Sequence, residues 1–205
     1  MPQGVTTSPN RPRLSREEAR GRILDAAAEL VRERSFAELT VGEIMDRAGL
    51  ERTVFYRHFE NVGALLLSTG RGAIDAMFEA HAAIANSHGA LDEEAVGEAM
   101  TVAAEVFHQH GPLLRAVFEA IASGQLTAVD AEALRRRFDT LVAESLRDVE
   151  ARGGRAFADP EQTARALNLL NENYLLDAFG REPRVSVEVA ARTLTEIWTA
   201  LIEAR

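Results

Sequence analysis

Two capping boxes and one glycine divide the start of this chain into three helices. Ser15 is followed three residues later by Glu18, and Thr40 by Glu43. In that spacing the hydroxyl and the carboxylate bond reciprocally to backbone N–H groups that a helix N-terminus leaves free. Behind the first box, Ile23, Ala27, Leu30 and Val31 recur on one helical face until Arg34-Ser35. Behind the second, a short helix reaches Ala48, where Gly49 supplies the left-handed backbone a tight inter-helical turn requires. A third helix is predicted from Glu51 to Phe59. Helix, helix, glycine turn and helix within about 45 residues have the proportions of a helix-turn-helix unit, whose last helix enters the DNA major groove. The same spacing also fits three-helix packing units that bind nothing.

The remainder repeats the helical theme with no alternation of the β type. Predicted helices cover 62–85, 93–110, 112–123, 127–152, 160–179 and 186 to the end, with Gly111-Pro112, Gly153-Gly154 and Asp159-Pro160 as punctuation. The fold class is therefore all-α, with about nine helices. Three units are expected: a disordered arm over 1–14, a helix-turn-helix domain over 15–61, and a larger helical domain over 62–205. The arm holds three prolines, with Arg11 and Arg13 near its end, a composition suited to a solvated tail or to phosphate and minor-groove contacts.

Two missing residue types exclude chemistry. The chain has no cysteine, which removes disulfides, thiol nucleophiles and cysteine-based zinc sites. Its 23 basic residues are all arginine, which removes a Schiff-base lysine and the lysine of a phosphate-binding loop. His108 and His110 stand two apart on a helix and so point to different faces, which argues against a shared metal. No metal, cofactor or catalytic activity is expected. The longest stretch free of charge runs only from Ala80 to Leu91, far short of a membrane span, and no segment near the start resembles a signal peptide. A cytoplasmic protein without membrane contact is expected. Charge is unevenly placed: residues 1–60 balance ten arginines against ten acids, so 61–205 carry the whole net charge of −9. An acidic body with a neutral end keeps most of its surface from DNA while one end approaches it.

The segment Thr40–Leu66, TVGEIMDRAGLERTVFYRHFENVGALL, closely resembles the DNA-binding signature of the tetracycline-repressor (TetR) family of bacterial regulators. Thr40, Ile44, Ala48-Gly49-Leu50, Phe55-Tyr56, His58-Phe59 and Ala64-Leu65-Leu66 carry the match. The resemblance implies a homodimer that binds a double-stranded, palindromic operator and is released by a small, largely apolar effector. Arg52 and Thr53 then stand where side chains reach base edges, arginine being suited to guanine. Tyr56, His58 and Thr40 take phosphate or thymine-methyl contacts, with Arg57 facing DNA or solvent, while Phe55 and Phe59 anchor the helix in the core. Two positions depart from the family: Val62 replaces a common phosphate-gripping lysine, and Glu51 a common serine cap. They keep open a second class, a helical small-molecule-binding protein with no DNA role.

A second resemblance lies in Ala164–Asn173 (ARALNLLNEN), Phe179 and Ile197-Trp198, similar to the mycobacterial subfamily of repressors of ethionamide activation. Positions 164, 167, 168, 171, 175 and 178 form one stripe of the eighth predicted helix and read Ala, Leu, Asn, Asn, Leu, Ala. Buried amides on such a stripe must be hydrogen-bonded. They either bond within the protein or line a pocket, as the resemblance implies. In the pocket reading Asn168 and Asn171 hold the polar part of a ligand, and Trp198, Phe107, Phe138, Met100 and Val142 supply apolar walls. Leu169, Leu170 and Leu176, on the other face, suit a dimer of paired helices.

Overall fold

The computed structural model describes residues 14–88, 91–126 and 128–203, so the arm, with Arg11 and Arg13, lies outside the described residues apart from Leu14. The elements run α1 (Arg16–Glu33), a 3-10 turn (Phe36–Glu38), α2 (Val41–Ala48), α3 (Arg52–Phe55), α4 (Val62–His88), α5 (Glu93–Ala122), α6 (Ala128–Ala151), α7 (Pro160–Phe179) and α8 (Val187–Glu203). The protein is all-α. Both capping boxes form as the sequence predicts, with Glu18 N donating to Ser15 Oγ and Glu43 N to Thr40 Oγ1. Gly49 adopts φ 66°, the left-handed cap that lets α2 turn into α3.

Among the described residues there are eight α-helices, close to the expected number of about nine, and Gly111-Pro112 does not divide α5 as the sequence suggested. An internal proline removes one backbone hydrogen bond and crowds the preceding turn, at a cost of about 3 kcal/mol. Packing outweighs it. Leu114 and Val117 just beyond are almost fully buried, and burying such a side chain contributes roughly 1.5–3 kcal/mol each. Gly111 is itself required: a Cβ there would lie 2.1 Å from the Phe179 carbonyl oxygen, so only glycine lets α5 touch the end of α7.

The second correction concerns the third helix. Regular α structure covers only Arg52–Phe55, and the chain continues to His58 in tighter turns, with Arg57 N donating to Val54 O and His58 N to Phe55 O. Glu51 makes no side-chain cap. The buried pair Phe55 and Phe59 still holds residues 52–58 in place against the core.

Two main cores result. One gathers Ile23, Leu30, Phe36, Ile44, Met45 and Phe55 from the N-terminal helices with Leu65 and Leu66 of α4 and Leu113, Val117 and Ala120 of α5. The other joins Val96, Met100, Phe107 and Leu114 of α5 to Leu175 and Phe179 of α7 and to Leu194 and Trp198 of α8. A smaller cluster around Leu146 and Phe157 closes α6 against α7. The long α5 thus belongs to both ends of the molecule.

Candidate functional site

At the N-terminal end the side chains singled out in the sequence are mostly exposed. Thr40, Arg52, Thr53, Tyr56 and Arg57 face solvent, and His58 is half-buried. Tyr56 is 63% exposed while its neighbour Phe55 is sealed in the core, their rings meeting edge-on at 5.4 Å. A buried aromatic therefore holds an exposed one upright. Thr40 and Arg52 come together over Gly42: a Cβ on that glycine would lie 3.7 Å from Thr40 Oγ1 and 3.9 Å from Arg52 Cζ. Arg57 and His58 form a second group with the start of α1, where Arg16 Nη2 donates to the Arg57 carbonyl. Partial burial lowers the His58 pKa, and the cations of Arg16, Arg20 and Arg57 lower it further. Neutral His58 accepts or donates a single hydrogen bond per nitrogen.

The unit is braced from behind. Arg47 on α2 bonds Glu29 and Glu33 on α1 at 2.9–3.1 Å, and Arg34 pairs with Glu43. Val62 sits in the core, at 7% exposure, rather than facing outward. Gly63 beside it packs so closely that a Cβ would lie 2.9 Å from the Gln125 carbonyl oxygen. The start of α4 is therefore clamped on the α5–α6 connection, and a lysine at 62 would have to leave the core to reach any phosphate.

A polar chain connects the two ends. Glu119 of α5 accepts from the backbone N–H of Phe36 at 3.1 Å and pairs with Arg115 at 2.6 Å. Arg115 Nε in turn donates to the Gly180 carbonyl at 2.7 Å, at the end of α7.

All seven residues named from the sequence as pocket candidates converge. Met100, Phe107, Phe138, Val142, Asn168, Asn171 and Trp198 line one cavity enclosed by α4 to α8, with about 120 Å³ open to the centre of a water molecule. That is room for several waters. Asn171 carries its amide oxygen toward the Trp198 indole, which donates to it at 3.0 Å. Indole nitrogen only donates, so this contact fixes the orientation of the amide. Its NH2 group is left with the Met100 sulfur at 3.6 Å, a weak acceptor. Asn168 donates to Asp139 at 2.8 Å. The two amides therefore bond within the protein, though not to each other.

The cavity also contains residues that sequence reasoning missed. His81 lines it from α4, its ring nitrogen bonded to the Met77 carbonyl at 2.7 Å and its pKa lowered by burial. Arg135, Asp139, Arg165 and Glu172 form ion pairs along the α6–α7 side, Arg135 with Glu172 and Arg165 with Asp139, each at 3.2 Å. Burial raises the Glu172 pKa against the opposing pull of Arg135. None of these four charges was singled out in the sequence. The signal that finds them is spacing: positions 135, 138, 139 and 142 share one helical face. Leu176 is partly buried against the second core, whereas Leu169 and Leu170 are exposed.

Residues 23–69 match the family model of bacterial regulatory proteins of the tetR family, and residues 96–203 match that of the C-terminal domain of the transcriptional regulator EthR. The chain belongs to the TetR family of helix-turn-helix transcriptional regulators. Within that family its C-terminal part is of the EthR type. It is 28% identical over 188 residues to the HTH-type transcriptional regulator EthR of Mycolicibacterium smegmatis, covering 91% of this chain and 87% of the relative. To EthR of Mycobacterium tuberculosis it is 27% identical over 209 residues, covering 98% and 93%. In fold it resembles the TetR-family regulator PfmR of Thermus thermophilus, with TM-score 0.69 and 23% identity over 86% of this chain and 96% of that one. Among the described residues no helix is long and apolar enough to cross a membrane.

Proposed function

We propose that the protein is a ligand-responsive repressor which binds a palindromic operator as a homodimer and releases it when a small, largely apolar molecule fills the cavity. It acts in the cytoplasm, where its operator lies. The observation that carries this reading is the cavity itself, walled by apolar and aromatic side chains with Asn171 as a polar anchor whose NH2 group has only a thioether partner. A ligand carbonyl is a better acceptor than that sulfur. Residues 15–61 form the reading domain and 62–205 the ligand and dimer domain, with the arm of 1–14 ahead of them.

In this reading Arg52 and Thr53 address base edges, and Thr40, Tyr56 and His58 contact phosphates or a thymine methyl, with Arg57 adding positive charge. Dimerisation pairs α7 and α8 with those of a second copy. Leu169, Leu170, Val189 and Ile197 are exposed by 36–41%, and they make up four of the six large apolar side chains exposed among the described residues. The effector acts by preferring the conformation whose two reading heads mismatch B-DNA half-sites about 34 Å apart.

Mobility-shift titration on fragments of the gene's own upstream region tests the whole scheme. Specific, salt-dependent retardation is expected, and it is expected to weaken when an apolar ligand saturates Trp198 fluorescence. A protein that titrates ligand yet shows no specific retardation is a carrier and not a repressor. Within the complex, Arg52→Ala is expected to cost about 1–3 kcal/mol on the operator and relax preference at one base pair per half-site. Equal losses on operator and random DNA assign Arg52 to phosphate instead.

A further inference from the structure

The cavity is not uniformly apolar: its α6–α7 side holds a guanidinium with an unused donor. Arg135 Nε is buried and has no hydrogen-bond partner, while Nη2 of the same group reaches Glu172 at 3.2 Å. The N–H bonds of Nε and Nη2 point the same way and form the side-on fork that a carboxylate fills with two parallel bonds. Glu172 takes a bond from Nη2 and none from Nε. The arginine lies over the Phe118 ring at 5.7 Å, and both residues line the cavity.

We propose that the effector carries a carboxylate, seated side-on on Arg135, with its apolar body running across the cavity toward Met100, Phe107 and Trp198. This inference rests on the reading of the cavity as the effector site and names the chemistry of its occupant. The neighbouring cation is not an equal candidate, because Arg165 is paired with Asp139, which Asn168 also holds. Glu172 is displaced from Nη2 as the ligand enters. Burial raises the Glu172 pKa against the pull of Arg135 and so eases the proton uptake that accompanies this displacement.

The probes are decanoate and methyl decanoate, which share a chain and differ in charge, titrated against the emission of Trp198, the single tryptophan of the protein. Burial of apolar surface alone favours the ester. A seated carboxylate reverses that order, and decanoate is expected to bind about tenfold tighter. Arg135→Gln is expected to abolish the preference by weakening decanoate while leaving the ester unchanged, and Arg165→Gln is expected to retain it. Ester binding as tightly as the acid in the wild-type protein overturns the proposal and leaves the apolar-effector reading intact. Equal weakening of both ligands by Arg135→Gln, with the fold intact by melting, also overturns it. If neither probe moves the emission at saturation, the cavity is not an effector site for chains of this kind, and both readings fall.

Discussion

The two ends of the molecule use the same element, the α-helix, and pack it to opposite effect. In the reading head, short helices close around Ile23, Ile44, Met45 and Phe55, each without exposed surface, and arginine–carboxylate pairs lock α2 to α1 from outside. In the body, long helices stand far enough apart to enclose a cavity, with amides, an imidazole and two ion pairs on its walls. A dense core has one low-energy arrangement, whereas a cavity lined by partly satisfied polar groups is stabilised by whatever completes them. On the function proposed above, the head holds a shape and the body responds to an occupant.

The largest effect is expected where the contrast is broken in the head. Phe55→Ala removes a fully buried ring at the centre of its core, and truncations of this kind cost about 3–5 kcal/mol. Operator binding is expected to vanish while ligand titration of Trp198 survives. Loss of both together means the two ends unfold as a single cooperative unit, which differential melting of head and body would reveal.

Asn171→Leu tests the body. It leaves the buried Trp198 indole N–H without its acceptor, at a cost of about 1–3 kcal/mol in stability. The amide group facing the Met100 sulfur is lost as well, so a carbonyl-bearing ligand is expected to bind about tenfold more weakly. The melting temperature and the ligand isotherm, measured on one preparation, separate the two roles. A large drop in melting temperature with unchanged affinity makes Asn171 a strut between α7 and α8 and not a ligand contact.

The smallest effect lies in the response to acid. Burial holds His81 neutral by lowering its folded pKa below the ordinary value near 6.5. Its contribution is therefore complete above pH ~6.5 and is lost as pH falls from there toward the folded value, because the unfolded chain takes up the proton first. In the head, Glu18, Glu33 and Glu43 have lowered pKa values, owing chiefly to hydrogen bonds from Ser15, Arg47 and Thr40 respectively. Their contribution is present above the ordinary carboxylate value and fails only below it. Below pH ~6.5 both ends are thus expected to soften, the head through His58 and the body through His81, and the head's carboxylates fail only at lower pH. His81→Gln should flatten the dependence of melting temperature on pH between about 7.5 and 5.5, and an unchanged slope assigns that window to other groups.

Sequence reasoning read the head more fully than the body, for a physical reason. Capping boxes, Gly49 and the Phe55–Phe59 pair are local features whose meaning depends on residues three or four positions away. The Pro112 misreading has the opposite origin. What keeps α5 whole is the packing of Leu114 and Val117 beyond the proline, and Gly111 fits there against Phe179, 68 positions further along the chain; no local signal reports either. The apolar cavity walls were legible as interruptions and continuations of a helical stripe. Arg135 and Asp139 share a helical face with the wall residues Phe138 and Val142, whereas Glu172 is brought to the cavity only by the pairing of α6 with α7. Val62 was legible as a departure from the family, but its place in the core was not.

The contact at Gly111 has a mechanical consequence. With a rise of about 1.5 Å per residue, Glu119 stands roughly 12 Å along α5 from the point where that helix touches α7. Along α5 from Gly111, the Phe36 N–H is bonded to Glu119 on the far arm, and the Arg115–Gly180 contact lies midway. A tilt of about 5° displaces the far arm by about 1 Å, which is enough to break a bond of 3.1 Å. A rotation of that size also shifts Val117 and Ala120 in the core of the head, so the bond at Phe36 and the packing around it register the same displacement.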